Sequence, residues 1–248
     1  MPSNAEIKQF SALRMPKYRQ KYGQFVVEGR KQVLEVFHSD YAIDRIMATE
    51  EVAAKLELPF EPEIISRQDY QKISQMETPP GICAVVRTRH FPLADFNFDH
   101  GVALALDGIS DPGNLGTIMR TADWFGYRHV LLSKDCTDVY NAKCLAATMG
   151  SFTRMKWHYC DLPEVITGKN VLGCFMDGEP VEEARIDMPA VLLIGSEAHG
   201  IREDAAETVK MRVSVSGDGK TESLNAAMAA GMVMHMLFLG GKKGKLRQ

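Results

Sequence analysis

The chain has no C-x-x-C pair, no glycine-rich G-x-G-x-x-G loop and no apolar run long enough to cross a bilayer. Its five cysteines, Cys83, Cys136, Cys144, Cys160 and Cys174, are odd in number and scattered. That pattern argues against a disulfide framework and a zinc site, and a reducing, cytoplasmic setting is expected. The longest apolar stretch, Ala226 to Leu239, is interrupted by His235 and falls short of the ~20 residues that span a membrane, so it reads as a buried helix. No secretory signal is read at Met1-Pro2-Ser3-Asn4. A charge excess is also missing. The formal net charge is -3 over 248 residues, so any affinity for nucleic acid has to come from a local patch of Lys and Arg. There is no internal repeat and no low-complexity tract.

What is there is ordinary globular composition, 45% hydrophobic and 25% charged, in a length that accommodates two modest domains. Strand-like and helix-like segments alternate from the start. Phe25–Val27 reads as a strand, Arg30–Phe37 as an amphipathic helix, Ile43–Ala48 as a strand and Glu50–Leu58 as a helix stopped by Pro59. A strand at Glu63–Ser66, a helix at Asp69–Ser74 and an apolar strand at Ile82–Val86 close this first α/β unit. Between Thr88 and Gly101 the period breaks around Pro92, which marks a linker whose phenylalanines should pack on a surface. A second α/β unit opens with Val102–Leu106, continuous and apolar as parallel strands are. Helices follow at Leu115–Phe125, Asn141–Met149 and Leu162–Ile166. Strands are expected at Val130–Leu132, Met155–Tyr159, Val171–Met176, Val191–Ile194 and Val213–Val215, before a long helix from Ser223 to Leu239.

Three stretches stand where a strand gives way to a loop or helix, the place where open α/β sheets hold ligands. In Asp111-Pro112-Gly113-Asn114-Leu115-Gly116 the plain reading is a turn with Asn114 capping a helix, and Arg120 on that helix's solvated face. The other reading is a helix N-terminus suited to anions, with the planar Arg120 fork holding a phosphate. Gly195-Ser196-Glu197-Ala198-His199-Gly200 reads as a tight turn, but a carboxylate directly after a buried strand is costly to place without a role. His199 has no second His at ligand spacing and reads as a loop residue. Ser223 is a candidate N-cap of the last helix. Asn225, ahead of Ala226-Ala227-Met228-Ala229-Ala230, has little intrinsic reason to stand in a helix.

Together and in this order, the three stretches resemble the motifs of the SpoU (TrmH-like) family of RNA ribose 2′-O-methyltransferases, within the SPOUT superfamily. Asn114 and, six positions on, Arg120 match the first motif. Gly195, Glu197 and Gly200 match the G-x-E-x-x-G of the second, and Ser223-Leu224-Asn225 the S-L-N of the third. Ala147-Thr148-Met149-Gly150-Ser151 is similar to the segment between the first two. Lys17 to Gly29 and Thr78 to Val86 look like the start and end of the family's ribosomal-protein-L30e-like domain. The chain departs from the family at Val215-Ser216-Gly217, where Ile-Pro-Met is usual, and at Ala226-Ala227, where Val-Ser is usual. A polar insertion, Asp218-Gly219-Lys220-Thr221, follows the first departure.

The resemblance implies an α/β protein with an L30e-like RNA substrate-binding domain over 1–90, a linker over 91–100, and a SPOUT domain over 101–248. That second domain would carry a parallel sheet and a C-terminal trefoil knot, and the protein would be a homodimer. It implies methyl transfer from S-adenosylmethionine to a ribose 2′-hydroxyl in rRNA or tRNA, with a 23S-type rRNA favoured. Asn114, Arg120, Glu197, Ser223 and Asn225 would be catalytic, and Gly195, Val215 and Leu224 would hold the donor. The basic cluster Arg14, Lys17, Arg19, Lys21 and Arg30 would bind RNA, against the alternative of a solvated helix face. No metal and no membrane partner are expected. The rival is a non-catalytic RNA-binding protein that keeps the fold, for which the Val215-Ser216-Gly217 departure is the support.

Overall fold

A computed structural model describes residues 1–218 and 223–245. Most of the insertion Asp218–Thr221 and the last residues of the basic tail therefore lie outside the described residues. The chain divides into two compact units, residues 1–90 with 138–153, and residues 91–137 with 154–248. The segment 138–153, read from the sequence as part of the C-terminal domain, thus packs within the first unit.

The first unit begins with two helices that the strand-centred reading passed over, α1 (Asn4–Ala12) and α2 (Pro16–Tyr22). Both carry sequence signals. Ser3 and Glu6 form a reciprocal capping box at the start of α1, and Pro16 opens α2 while Gly23, at φ 60°, ends it. The alternation then follows the expected order: β1 (Gln24–Glu28), α3 (Arg30–Phe37), β2 (Ile43–Thr49), α4 (Glu50–Lys55), β3 (Glu63–Ile65), α5 (Arg67–Ile73) and β4 (Ile82–Arg87). The sheet order is β1-β4-β2-β3, with β4 antiparallel to both β1 and β2, and β3 parallel to β2. Strand periodicity sends alternate residues of β1 to opposite faces. Val26 joins a core with Ile7, Phe10, Leu13, Tyr70 and Ile73. Its neighbour Phe25 packs instead on Tyr140 (4.3 Å between ring centroids) and edge-on to Phe152 (5.9 Å). Residues 138–153, with α7 (Ala142–Thr148), therefore supply the second covering of this sheet. Gly150 makes that approach possible. Its φ is 94°, and a Cβ there would stand 2.5 Å from Glu35 Cγ on α3.

The second unit is a six-stranded sheet of order β10-β8-β9-β5-β6-β7, with every neighbouring pair parallel. The strands are β5 (Val102–Asp107), β6 (His129–Ser133), β7 (Lys156–Cys160), β8 (Val171–Pro180), β9 (Ala190–Gly195) and β10 (Met211–Ser214). The helices are α6 (Pro112–Phe125), α8 (Leu162–Ile166), α9 (Glu203–Ala206) and α10 (Ala226–Lys245). The expected linker packs as its aromatics suggested. Phe91 lies edge-on to Trp157 at 5.0 Å, its carbonyl meets His158 Nδ1 at 2.8 Å, and Phe96 lies 5.1 Å from the His129 ring. Along α10, Ala226, Ala230, Val233, Met234 and Leu237 are buried, whereas Met228 and Met232 are exposed. Among the described residues no helix is long and apolar enough to cross a membrane.

From β5 the strand order runs to β6 and β7 on one side and to β9 on the other, a topological switch point. Asp107 at the end of β5 pairs in register with Gly195 at the end of β9. A crevice outside the carboxyl ends of these two strands is where such a sheet binds its ligands.

Candidate active site

Two of the three sequence motifs leave the sheet at this switch point. The loop after β5 leads into α6, whose N-cap is Asp111, with Oδ1 accepting from Asn114 N at 2.9 Å. This corrects the plain reading of the first motif, because Asp111 does the capping and the Asn114 side chain is released for another partner. That partner is Glu197, on the loop after β9. Asn114 Nδ2 donates to Glu197 Oε1 at 2.6 Å. The same oxygen accepts from Asn225 Nδ2 at 2.7 Å and from Ala226 N at 3.2 Å. Asn225 Nδ2 also reaches Asn114 Oδ1 at 3.1 Å. One carboxylate oxygen therefore gathers residues of all three motifs.

Asn225 has a second duty that explains its place. Its Oδ1 accepts from Ala227 N at 3.0 Å and Met228 N at 3.3 Å, so it caps α10. The expected N-cap was Ser223 and the expected helix start lay there too. Both are corrected: α10 begins at Ala226, and Ser223 and Leu224 are exposed chain ahead of it. The cap is paired to the Glu197 carboxylate through its amide, so the helix start and the cluster are built by one side chain.

The loop carrying Glu197 is held tightly. Ser196 and Gly200 exchange backbone hydrogen bonds at 3.1 and 2.9 Å, and Ser196 Oγ accepts from His199 N. A Cβ on Gly195 would fall 2.1 Å from the Gly200 carbonyl carbon, so no larger residue fits there. Below the loop, Asp107 is a buried acid that the sequence reading did not single out. Its Oδ2 accepts from Arg202 N at 2.8 Å. Its Oδ1 lies 2.7 Å from Arg202 Nη2 without the alignment of a directed hydrogen bond, so that contact is an ion pair. Arg202 Nη1 stands 3.9 Å from Asp135 Oδ1. Ser133 Oγ links the next strand end, donating to Asp135 Oδ1 at 2.6 Å and accepting from Gly108 N at 2.8 Å. That hydroxyl is the main cause holding the Asp135 carboxyl below the ordinary carboxylate range. The signal for Asp107 was in the sequence: a carboxylate ends the apolar run Val102–Leu106, the same feature that drew attention to Glu197.

The remaining expected residues are placed apart from this cluster or touch nothing in it. Arg120 is exposed on α6 and makes no hydrogen bond or ion pair among the described residues. Val215 follows the end of β10, and Ser216 beside it donates to Glu182, whose carboxyl is held below its usual range by that bond first. Of the basic cluster, Arg14, Lys17, Lys21 and Arg30 are exposed. Arg19 is not. It is 3% exposed, with Nε and Nη2 on Asp138 Oδ2 at 2.8 and 2.6 Å and Nη1 on the carbonyls of Leu13 and Arg14. Four of its five N–H donors are so occupied and the side chain is buried, so Arg19 is withdrawn from the RNA-binding set. No group of three or more His, Cys, Asp or Glu among the described residues is arranged to hold a metal ion.

The sequence pattern described as the SpoU rRNA Methylase family matches residues 101–235, which hold the whole Glu197 cluster. The chain belongs to the SpoU rRNA methylase family. A second pattern, the MRM3-like substrate binding domain, matches residues 4–84 of the first unit. The 23S rRNA (guanosine(2553)-2'-O)-methyltransferase RlmP of Bacillus subtilis is 29% identical over 242 residues, covering 94% of this chain and 96% of that protein. Among solved structures, a protein assigned to the TrmH family of RNA methyltransferases from Porphyromonas gingivalis superposes with a TM-score of 0.83 at 33% identity. That match covers 96% of this chain and 98% of the other. An AdoMet-bound rRNA methyltransferase from Sinorhizobium meliloti superposes with a TM-score of 0.84 at 26% identity, covering 96% and 95% of the two chains. The α/β architecture with its parallel sheet is thus that of SpoU methyltransferases.

Proposed function

We infer that this SpoU chain transfers a methyl group from S-adenosylmethionine to a ribose 2′-hydroxyl of RNA, in rRNA or tRNA. The observation that carries the reading is Glu197 Oε1, which draws Asn114, Asn225 and the start of α10 into one site. A binding module needs no such convergence, so the non-catalytic reading is set aside.

The residues suit the donor. Gly195 is the last residue of β9, Val215 lies just past the end of β10, and Leu224 precedes α10 in exposed chain, so the main-chain groups of all three stand where a regular element meets a loop. Those three would hold the donor's adenosine part. When bound, S-adenosylmethionine supplies a methyl group on a sulfonium, so the protein is left to orient the ribose hydroxyl and stabilise the charge that develops as its proton passes to solvent water. Arg120 would do the second by holding the adjacent phosphate and the developing alkoxide through its planar fork. It acts as a cation and not as a base, because a guanidinium stays protonated in proteins (pKa above ~12). Asn114, Asn225 and Ser223 would orient the ribose, with Glu197 fixing the two amides.

Further parts of the reading rest on family membership. The first unit would be an L30e-like RNA-binding domain, with Arg14, Lys17, Lys21 and Arg30 on its RNA face. The C-terminal part of the second unit would be knotted, which the placement of β8 between β9 and β10 supports. The working form would be a homodimer in the cytoplasm. Supporting the dimer, Trp124 on α6 is 84% exposed, and Met228 on α10, which packs on α6, is 56% exposed. A 23S-type rRNA is the favoured substrate, in keeping with the match to the B. subtilis enzyme.

Titration calorimetry with S-adenosylmethionine and with its demethylated product tests the reading directly. Both should bind. Failure of both at millimolar concentration, a free energy weaker than about -4 kcal/mol, would overturn it.

A further inference from the structure

The first unit contains a cleft of about 310 Å³ lined by Arg14, Gln75, Asn141, Ala142 and Lys143. None of these residues belongs to the Glu197 cluster. The cleft is at the lower end of the size range of small-molecule sites (~300–1,000 Å³), room for one nucleotide and not for a helix. Its lining holds two cations and two amides and no carboxylate.

Each wall is fixed from behind by a buried charged group. Arg19, 3% exposed, joins the α1–α2 corner, through the Leu13 and Arg14 carbonyls, to Asp138. The Asp138 carbonyl in turn accepts from Asn141 N at 2.9 Å, and Asn141 Oδ1 accepts from Lys143 N. On the opposite wall Glu28, 7% exposed, accepts from Gln75 N at 2.7 Å and from Ser74 Oγ at 2.6 Å. Arg14 is braced by the Ser11 and Lys72 carbonyls through Nε and Nη2, which leaves Nη1 without a hydrogen bond among the described residues. The Gln75 side-chain amide likewise makes none. A donor and acceptor pair of that kind, beside two cations on a rigid frame, suits a ligand with a charged end and a hydrogen-bonding edge.

We propose that this cleft holds one unpaired nucleotide of the RNA substrate, with its phosphate against Arg14 and Lys143 and its base edge against the Gln75 amide. The proposal rests on RNA being the substrate and narrows where and in what form it is held. A base stacked inside a duplex cannot enter a cleft of this size, whereas one splayed from a loop or bulge can. Arg19 then has an indirect part, since it ties the Arg14 corner to the segment that carries Asn141 and Lys143.

The test is fluorescence anisotropy of the full-length protein with a labelled single-stranded oligoribonucleotide, and with the same strand annealed to its complement, across a salt titration. The double variant Arg14→Gln, Lys143→Gln should weaken single-strand binding about tenfold at low salt and reduce the log–log salt slope by about 0.7, the value for one phosphate contact. Gln75→Ala should weaken single-strand binding with no change in slope and leave duplex binding alone. An unchanged slope in the double variant, or equal losses on single strand and duplex, would overturn the proposal. If the double variant does not fold by circular dichroism, Lys143→Gln alone carries the test, since that residue is exposed, with half the slope change. Titrating S-adenosylmethionine into the same samples separates the two readings. Donor binding with an unaltered RNA slope would remove the cleft and keep the methyltransferase, and loss of donor binding in the unmodified protein would do the reverse.

Discussion

The amide nitrogen of Asn225 stands 3.1 Å from the amide oxygen of Asn114, although 111 residues of chain separate them. Neither holds this position alone. Both donate to Glu197 Oε1, so the site's geometry is a property of the carboxylate they share.

Glu197→Ala should therefore cost more activity than its exposure suggests. Two amides and the Ala226 N–H lose their acceptor, and small misplacement of orienting groups can cost ~100-fold in rate. Glu197→Gln retains a carbonyl oxygen in the same place and should recover part of that loss. Single-turnover methylation of a cognate RNA compares them, and equal damage in the two variants would mean that the charge, not the acceptor, matters.

Arg120→Ala should lower turnover by at least ~100-fold, the scale of removing one preorganised charge stabiliser, with folding and donor affinity unchanged. Arg120→Lys should recover little, because an ammonium cannot reproduce the planar fork. Near-normal rates in the alanine variant would make Arg120 an ordinary surface residue of α6.

Arg202→Ala leaves the fully buried Asp107 carboxylate with one main-chain donor and no counter-charge. Breaking a buried pair costs ~3–5 kcal/mol, and the half-exposed Arg202 guanidinium brings the expected loss down to about 2 kcal/mol. Donor affinity should fall as well, because the chain that follows the Gly195–Gly200 loop keeps only its main-chain bond to Asp107. Urea denaturation together with donor titration reads both effects, and a stable variant with loose donor binding would separate the anchor from the fold.

Trp124→Glu should convert a dimer of about twice the 27.6 kDa chain mass into monomers at micromolar concentration. A charge placed in an apolar contact is desolvated without a partner. Sedimentation equilibrium measures this, and a dimer that survives the substitution would locate the interface away from α6.

Much of this architecture could be read from periodicity because the strands are apolar and short. Arg30–Phe37 and Leu162–Ile166 appear in the structure with the bounds the pattern sets. The continuous run at β5 marked a parallel, buried strand correctly. What escaped was long-range. α1 and α2 carry capping signals but weak apolar stripes, and a reading led by strands passes over them. The burial of Arg19 follows from Asp138, 119 positions away, and nothing local announces it. The site divided along the same line. Motif order brought Asn114, Glu197 and Asn225 forward, whereas Asp107 belongs to no motif and is marked only by its place at the end of an apolar run, its partner lying 95 positions on.

The affiliation of residues 138–153 with the first unit bears on how this protein can be dissected. The chain passes between the two units at residues 90, 137 and 153, so no single cut yields both intact. A fragment ending at residue 90 would keep the buried Arg19 guanidinium and discard its only counter-ion among the described residues. It would also bare Phe25, the face of β1 that Tyr140 and Phe152 cover. Insolubility of such a fragment would reflect this interleaved connectivity, and would say nothing against the first unit folding on its own once residues 138–153 are grafted back.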